Sequence, residues 1–189
     1  MKQMKLLALA FVILFVSLSA WAASMEGKSE LRLDGSLQNV STDNGDVQTI
    51  AAQIVYNKFL SDQFSLGVAF RPTIQEESPD EGDSTTIQNI FFLGRGDFYL
   101  ATGDSQFVPY GGAHAGVINY TYENGGSDES SSVLTYGVQG GGKFFVDEKT
   151  SLNFELDISI YEMDSESDYE DDSQDVNVVT FLVGYSYYF

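Results

Sequence analysis

Apolar and polar residues alternate with period two along most of this chain. The clearest stretch is residues 152–160. Leu152, Phe154, Leu156, Ile158 and Ile160 occupy one set of positions, and Asn153, Glu155, Asp157 and Ser159 the other. Successive side chains of a strand point to opposite faces, and no helical spacing accounts for this order. The same grammar recurs in five more places. Leu31, Leu33, Gly35 and Leu37 oppose Glu30, Arg32, Asp34 and Ser36; Ile50, Ala52, Ile54 and Tyr56 oppose Thr49, Ala51, Gln53 and Val55. Phe64, Leu66, Val68 and Phe70 oppose Ser65, Gly67, Ala69 and Arg71. Leu134, Tyr136, Val138, Gly140 and Phe144 oppose Thr135, Gly137, Gln139, Gly141 and Lys143. Val179, Phe181, Val183, Tyr185, Tyr187 and Phe189 oppose Thr180, Gly184 and Ser186. Two further segments are extended but less regular. Residues 87–100 carry Phe91 and Leu93 on the face of Asn89, Arg95 and Asp97, and residues 107–122 are rich in glycine and alanine. Eight antiparallel strands are expected.

The intervals between them alternate in length. Short turns are expected at residues 61–63, 102–105 and 147–149, and longer loops at 39–46, 75–85, 123–131 and 162–174. Tight turns on one side and larger loops on the other are the rhythm of an outer-membrane barrel whose N-terminus is periplasmic.

The start of the chain follows another rule. Met1-Lys2-Gln3-Met4-Lys5 is basic, residues 6–20 are almost wholly apolar, and Ala20-Trp21-Ala22 has the small-x-small form of a cleavage site. These are the parts of a secretory signal, and the apolar run falls short of the ~20 residues of a spanning helix. A signal peptide over residues 1–22 and a barrel over 23–189 are expected.

Composition narrows the function. The formal charge is −19, and loss of Lys2 and Lys5 with the signal leaves seven basic residues against 28 acidic ones. Such a chain repels nucleic acid. With no cysteine there is neither a disulfide framework nor a thiolate metal site. Fourteen phenylalanines and eleven tyrosines argue against a disordered chain.

A soluble barrel would turn its apolar face inward and a membrane barrel outward. The polar face here holds Ala51, Gly67, Ala69, Gly137, Gly141 and Ser159, small residues suited to the narrow interior of eight strands. Aromatics gather near strand ends, at Tyr56, Phe59, Phe64, Tyr120, Tyr122, Phe144, Tyr185 and Tyr187, where interface girdles are expected. The chain ends on Gly184-Tyr185-Ser186-Tyr187-Tyr188-Phe189. Gly184, Tyr187 and Phe189 resemble the C-terminal assembly signal of outer-membrane proteins, although Leu182 stands where that signal usually has a polar residue.

The mature chain as a whole resembles the small outer-membrane barrels of the opacity-protein and outer membrane protein A/X type. Residues 108–116, Val-Pro-Tyr-Gly-Gly-Ala-His-Ala-Gly, are similar to that family's glycine-rich strand after a periplasmic turn. The resemblance implies an all-β, up-and-down transmembrane barrel in the outer membrane of a Gram-negative bacterium, with both termini periplasmic. Outer-membrane lipid and lipopolysaccharide would surround it; periplasmic chaperones and the barrel assembly machinery would handle it during export. Neither a cofactor nor a catalytic site is expected.

Three groups of residues invite a functional reading. On the outward-apolar assignment Glu30, Arg32, Asp34, Arg71, Arg95, Asp97, Lys143, Glu155 and Asp157 face the lumen. Charges out of bulk water need partners, so a plugging ion-pair network is expected. The alternative is a small cation-preferring channel, because lumen charge tunes selectivity. His114 is the single histidine. A lipid-modifying enzyme would need a serine and a carboxylate beside it. Its own strand offers no serine at useful spacing, and a cross-strand serine stays open. Finally, the four expected loops, counted with Asp175 just past the last of them, hold 18 of the 28 acidic residues. Asp164, Glu166, Asp168, Glu170, Asp171 and Asp172 lie closest together in sequence. They lack the central glycine and terminal glutamate of a helix-loop-helix calcium site, so diffuse divalent-cation binding is the expectation.

Overall fold

The computed structural model describes residues 24–42, 45–79, 85–100, 105–124, 127–165 and 172–189, with side chains at 24–38, 47–76, 85–100, 105–121, 130–161 and 176–189. The expected signal peptide lies outside the described residues.

Eight strands follow in order: β1 (Ser29–Thr42), β2 (Gly45–Ser61), β3 (Phe64–Pro79), β4 (Thr85–Tyr99), β5 (Phe107–Asn124), β6 (Ser127–Asp147), β7 (Thr150–Ser165) and β8 (Asp172–Tyr188). Each is antiparallel to the next, and β8 returns to β1 to close the barrel. The N-terminal segment, the C-terminus and the turns at 62–63 and 148–149 share one end, here the terminal end; the other is the distal end.

The apolar face points outward. On β3 the exposed outward row includes Phe64, Leu66, Val68 and Ile74, on β4 Ile90, Phe92, Phe98 and Leu100, and on β8 Val179, Phe181, Val183, Tyr185, Tyr187 and Phe189. Each row spans eleven residues, the ~9–11 with which a tilted strand crosses a bilayer. A soluble protein would not expose a continuous belt of this size.

Two expectations need correction. The four distal connections are mostly strand. Pairing runs on to Thr42 with Gly45, Glu77 with Thr85, Asn124 with Ser127, and Ser165 with Asp172. The strands are 14 to 21 residues long and overshoot the apolar belt. Past that belt polar residues occupy both parities of the sequence, so alternation vanishes while the backbone ladder persists. Second, Phe59 is buried inside the barrel, and Tyr120 shares the inward register of Ile118. Neither belongs to an outer girdle.

The irregular segments also resolve. Asn89, Phe91, Leu93, Arg95, Asp97 and Tyr99 of β4 point inward, as do Val108, Tyr110, His114 and Ile118 of β5. The lumen is therefore not uniformly polar, which is why alternation blurred there.

Candidate functional site

All nine charged residues singled out from the pattern lie buried on the inner face. They form three connected groups, stacked along the barrel axis.

Nearest the terminal end, Lys143 of β6 pairs with Glu30 of β1. The same carboxylate accepts from Asn57 Nδ2 at 2.9 Å, from Ser186 Oγ, and from Tyr188 OH at 3.3 Å. The Lys143 ammonium stands 5.9, 5.4 and 5.8 Å from the ring centroids of Tyr99, Tyr110 and Tyr188, which a cation–π attraction favours.

At mid-height Glu155 of β7 is the hub. Its Oε2 lies 2.8 Å from Arg32 Nη2 and 2.7 Å from Arg95 Nη2, and it also accepts from Tyr110 OH at 2.8 Å. Arg32 Nε stands 2.7 Å from Asp34 Oδ2, and its Nη1 donates to Tyr110 OH at 2.8 Å. Arg95 grips Asp97 through two bonds of 3.0 and 2.9 Å, the fork geometry that suits guanidinium to carboxylate. Gln53 bonds Asp34 and Glu155, and Gln139 bonds Asp97.

Above it, Arg71 Nη1 stands 2.8 Å from Asp157 Oδ1, and its guanidinium lies 4.4 Å from the Phe91 ring centroid. His114 joins this group. Its Nε2 is 3.1 Å from Ser159 Oγ, and its Nδ1 is 2.9 Å from Gln139 Oε1 and 3.4 Å from Asp157 Oδ2.

Serine, histidine and aspartate thus meet across β5 and β7, supplying the cross-strand serine that the sequence left open. Their geometry is poor for nucleophilic catalysis. The single Ser159 proton is directed to Asp157 Oδ1 at 2.7 Å, shorter than the contact to histidine, and Arg71 Nη2 donates to Ser159 Oγ at 3.0 Å. Ser159 is fully buried, and no atom of it is open to an acyl substrate.

Inner glycines make this filling possible. A Cβ at Gly112 would stand 2.5 Å from both Asp97 Oδ1 and Gln139 Nε2, and one at Gly137 would stand 2.6 Å from His114 Nε2. Large charged side chains lie where the neighbouring strand has none.

Apolar clusters flank the charged layer. Met25, Phe59, Tyr99, Val108, Tyr110, Phe145 and Tyr188 gather at the terminal end. Val55, Ala69, Phe91, Leu93, Ile118 and Tyr161 gather on the distal side, with Val133, Val176 and Val178 against them. Sequence reasoning overlooked both clusters and the roles of Tyr110, Gln53 and Gln139. Each stands in the inward register, so the parity was available, but their partners lie on distant strands.

Of the expected assembly residues, Gly184 is inward beside Asp34, and Tyr187 and Phe189 are outward with stacked rings 6.2 Å apart. Asp164, Glu166, Asp168, Glu170, Asp171 and Asp172 have side chains outside the described residues. Among the described residues, no group of three histidine, aspartate or glutamate side chains is placed to hold a metal ion.

Among solved structures the chain is similar to Neisserial surface protein A, with a TM-score of 0.60 and 16% identity over 86% of this chain and 99% of that one. It is similar to OprG of Pseudomonas aeruginosa, with a TM-score of 0.60 and 13% identity over 87% and 97%. Outer membrane protein W of E. coli gives a TM-score of 0.52 and 15% identity over 87% and 98%. At these identities the likeness shows the fold. No curated protein matches the sequence. Eight closed strands, an outward apolar belt and a match over residues 8–189 agree: the chain belongs to the outer membrane protein β-barrel domain family, whose barrels lie in the outer membrane of Gram-negative bacteria.

Proposed function

We propose that this protein is a surface-structural barrel with a plugged lumen and no catalytic role, its acidic distal end outside the cell and its termini periplasmic. One observation carries the reading. Four cations and five carboxylates fill the mid-lumen in direct ion pairs, with packed apolar side chains on either side. Packed side chains at both ends of the charged layer support a lumen closed to ions.

Charge supports the orientation. Residues 39–46, 75–85, 123–131 and 162–175 hold 18 acidic residues and no lysine or arginine. Beside lipopolysaccharide phosphates such a rim requires divalent cations as bridges, held diffusely between oxygen ligands. Outer-membrane lipid and lipopolysaccharide are then its lasting partners. Chaperones and the assembly machinery would act earlier, through the C-terminal residues Gly184, Tyr187 and Phe189.

Planar-bilayer conductance of the refolded mature protein, with and without calcium, tests the reading. No current is expected under either condition. A steady cation-selective current would overturn it in favour of a small channel, for which the one-charge excess of lumen carboxylates would supply the preference.

A further inference from the structure

Residues 24–28 precede β1 and fold across the terminal end of the barrel. One oxygen of the Asp62 carboxylate, Oδ1, accepts three hydrogen bonds: from Ser24 Oγ at 2.8 Å, Met25 N–H at 2.6 Å and Glu26 N–H at 3.0 Å. Lys28 N–H donates to the Met25 carbonyl at 3.0 Å, and Gly27 has a φ of 78°. That is a type II turn, whose third residue needs positive φ and favours glycine. Phe59 ties the turn to β2: its carbonyl accepts from Gly27 N–H at 3.1 Å, and its N–H donates to the Lys28 carbonyl at 3.0 Å.

The consequence is the placement of Met25. It is buried in the terminal cluster with Phe59, Tyr99, Val108, Tyr110, Phe145 and Tyr188. Immediately inward lies the Lys143–Glu30 pair under its three tyrosine rings. The β1 ladder needs none of this, since its pairing with β2 begins at Ser29. A flexible thioether among aromatic rings, carried on a short tether and held by one half-buried carboxylate in a turn, has the parts of a releasable stopper.

We propose that residues 24–28 form a latch over the terminal end of the lumen: Met25 is the stopper, the Gly27 turn its arm and Asp62 the catch. Releasing the catch admits water and small solutes to the buried side chains around Lys143 and Glu30. The latch goes beyond the proposed function and stands whether or not the charged layer passes ions, because it concerns one end only.

The chain has no cysteine, so a single introduced thiol reports cleanly. Ser65→Cys places it in a fully buried inward position, where Ser65 Oγ is 3.3 Å from Tyr99 OH. The probe is the membrane-impermeant reagent sulfonatoethyl methanethiosulfonate, applied to the folded full-length mature barrel in lipid vesicles opened to both sides. S65C alone should label at least about 100-fold more slowly than the exposed control S130C. Adding Asp62→Ala should raise the S65C rate at least about 10-fold, and Met25→Ser should do the same independently. Both changes lie outside the strands; folding is verified by circular dichroism, and M25S carries the test if D62A does not fold. An S65C rate equal to that of S130C overturns the proposal. So does an S65C rate unchanged by the latch substitutions.

Discussion

Glu155 and Arg95 meet at 2.7 Å across the lumen, although β7 and β4 are separated by two strands in the barrel wall. Arg32 reaches the same carboxylate oxygen from β1, on the other side of β8. Glu155→Ala therefore leaves two buried guanidinium groups short of an anion. Breaking a buried pair from one side costs about 3–5 kcal/mol. Urea unfolding in lipid vesicles should show a loss of this size, with a smaller loss for Glu155→Gln, which keeps the acceptor oxygen.

Gly137 and Gly140 sit on the same strand with opposite surroundings. A Cβ at Gly137 would run into the Ile158 carbonyl and the His114 ring, whereas one at Gly140 would meet nothing closer than 3.8 Å. Gly137→Ala should lower stability by about 1–3 kcal/mol, the usual cost of overpacking. Gly140→Ala should fall within about 0.5 kcal/mol of the parent, as surface changes do. Equal effects in the same unfolding assay would contradict the inward placement of Gly137.

The Ser159–His114–Asp157 contact should be structural. A fluorophosphonate probe is expected to leave Ser159 of the folded barrel unlabelled, as mass spectrometry of the intact protein would record. Ser159→Ala should instead cost about 1–3 kcal/mol, because Arg71 and Asp157 each lose a buried partner. Covalent labelling at Ser159 would reopen the enzymatic reading.

Asp62 makes terminal-end stability depend on pH. The Ser24 hydroxyl and the backbone N–H groups of Glu26 and Met25 hold its carboxyl below the ordinary aspartate range. A depressed pKa means that the folded state favours the ionised form. Its contribution is complete above the unfolded value near ~3.9 and is lost as pH falls through the lower folded value. The stability difference between the parent and Asp62→Asn should therefore be flat from about pH 5 to 7 and shrink below about pH 4. A difference that grows on acidification would reverse this assignment.

Leu156 lies outward at the middle of its row, between Leu152 and Ile160 on β7, and Val146 lies at the terminal-end edge of the β6 row. Leu156→Arg should cost about 2–4 kcal/mol in a bilayer, and Val146→Arg no more than about 1 kcal/mol. Equal costs would mean that the belt does not sit in lipid as described.

Period-two alternation by itself determined that this chain forms eight antiparallel strands, and which face of six of them is apolar. It also named the nine buried charges, because Glu30, Arg32 and Asp34, or Glu155 and Asp157, share a parity that no loop conformation preserves. The pairing of those charges was not legible. Glu155 stands 60 residues from Arg95 and 123 from Arg32, and only closure of the barrel brings the three side chains together. Tertiary structure also decided where the interior turns apolar. Phe59, Phe91, Leu93 and Ile118 break alternation because both their own face and the outer one are apolar, and a local pattern cannot separate a packed lumen from a lipid belt. The latch depended on tertiary structure for the same reason: Met25, Gly27 and Asp62 look unremarkable in sequence until curvature of the sheet carries the first residues over the barrel end. Local alternation records which side a residue faces, while curvature and closure set what it meets there.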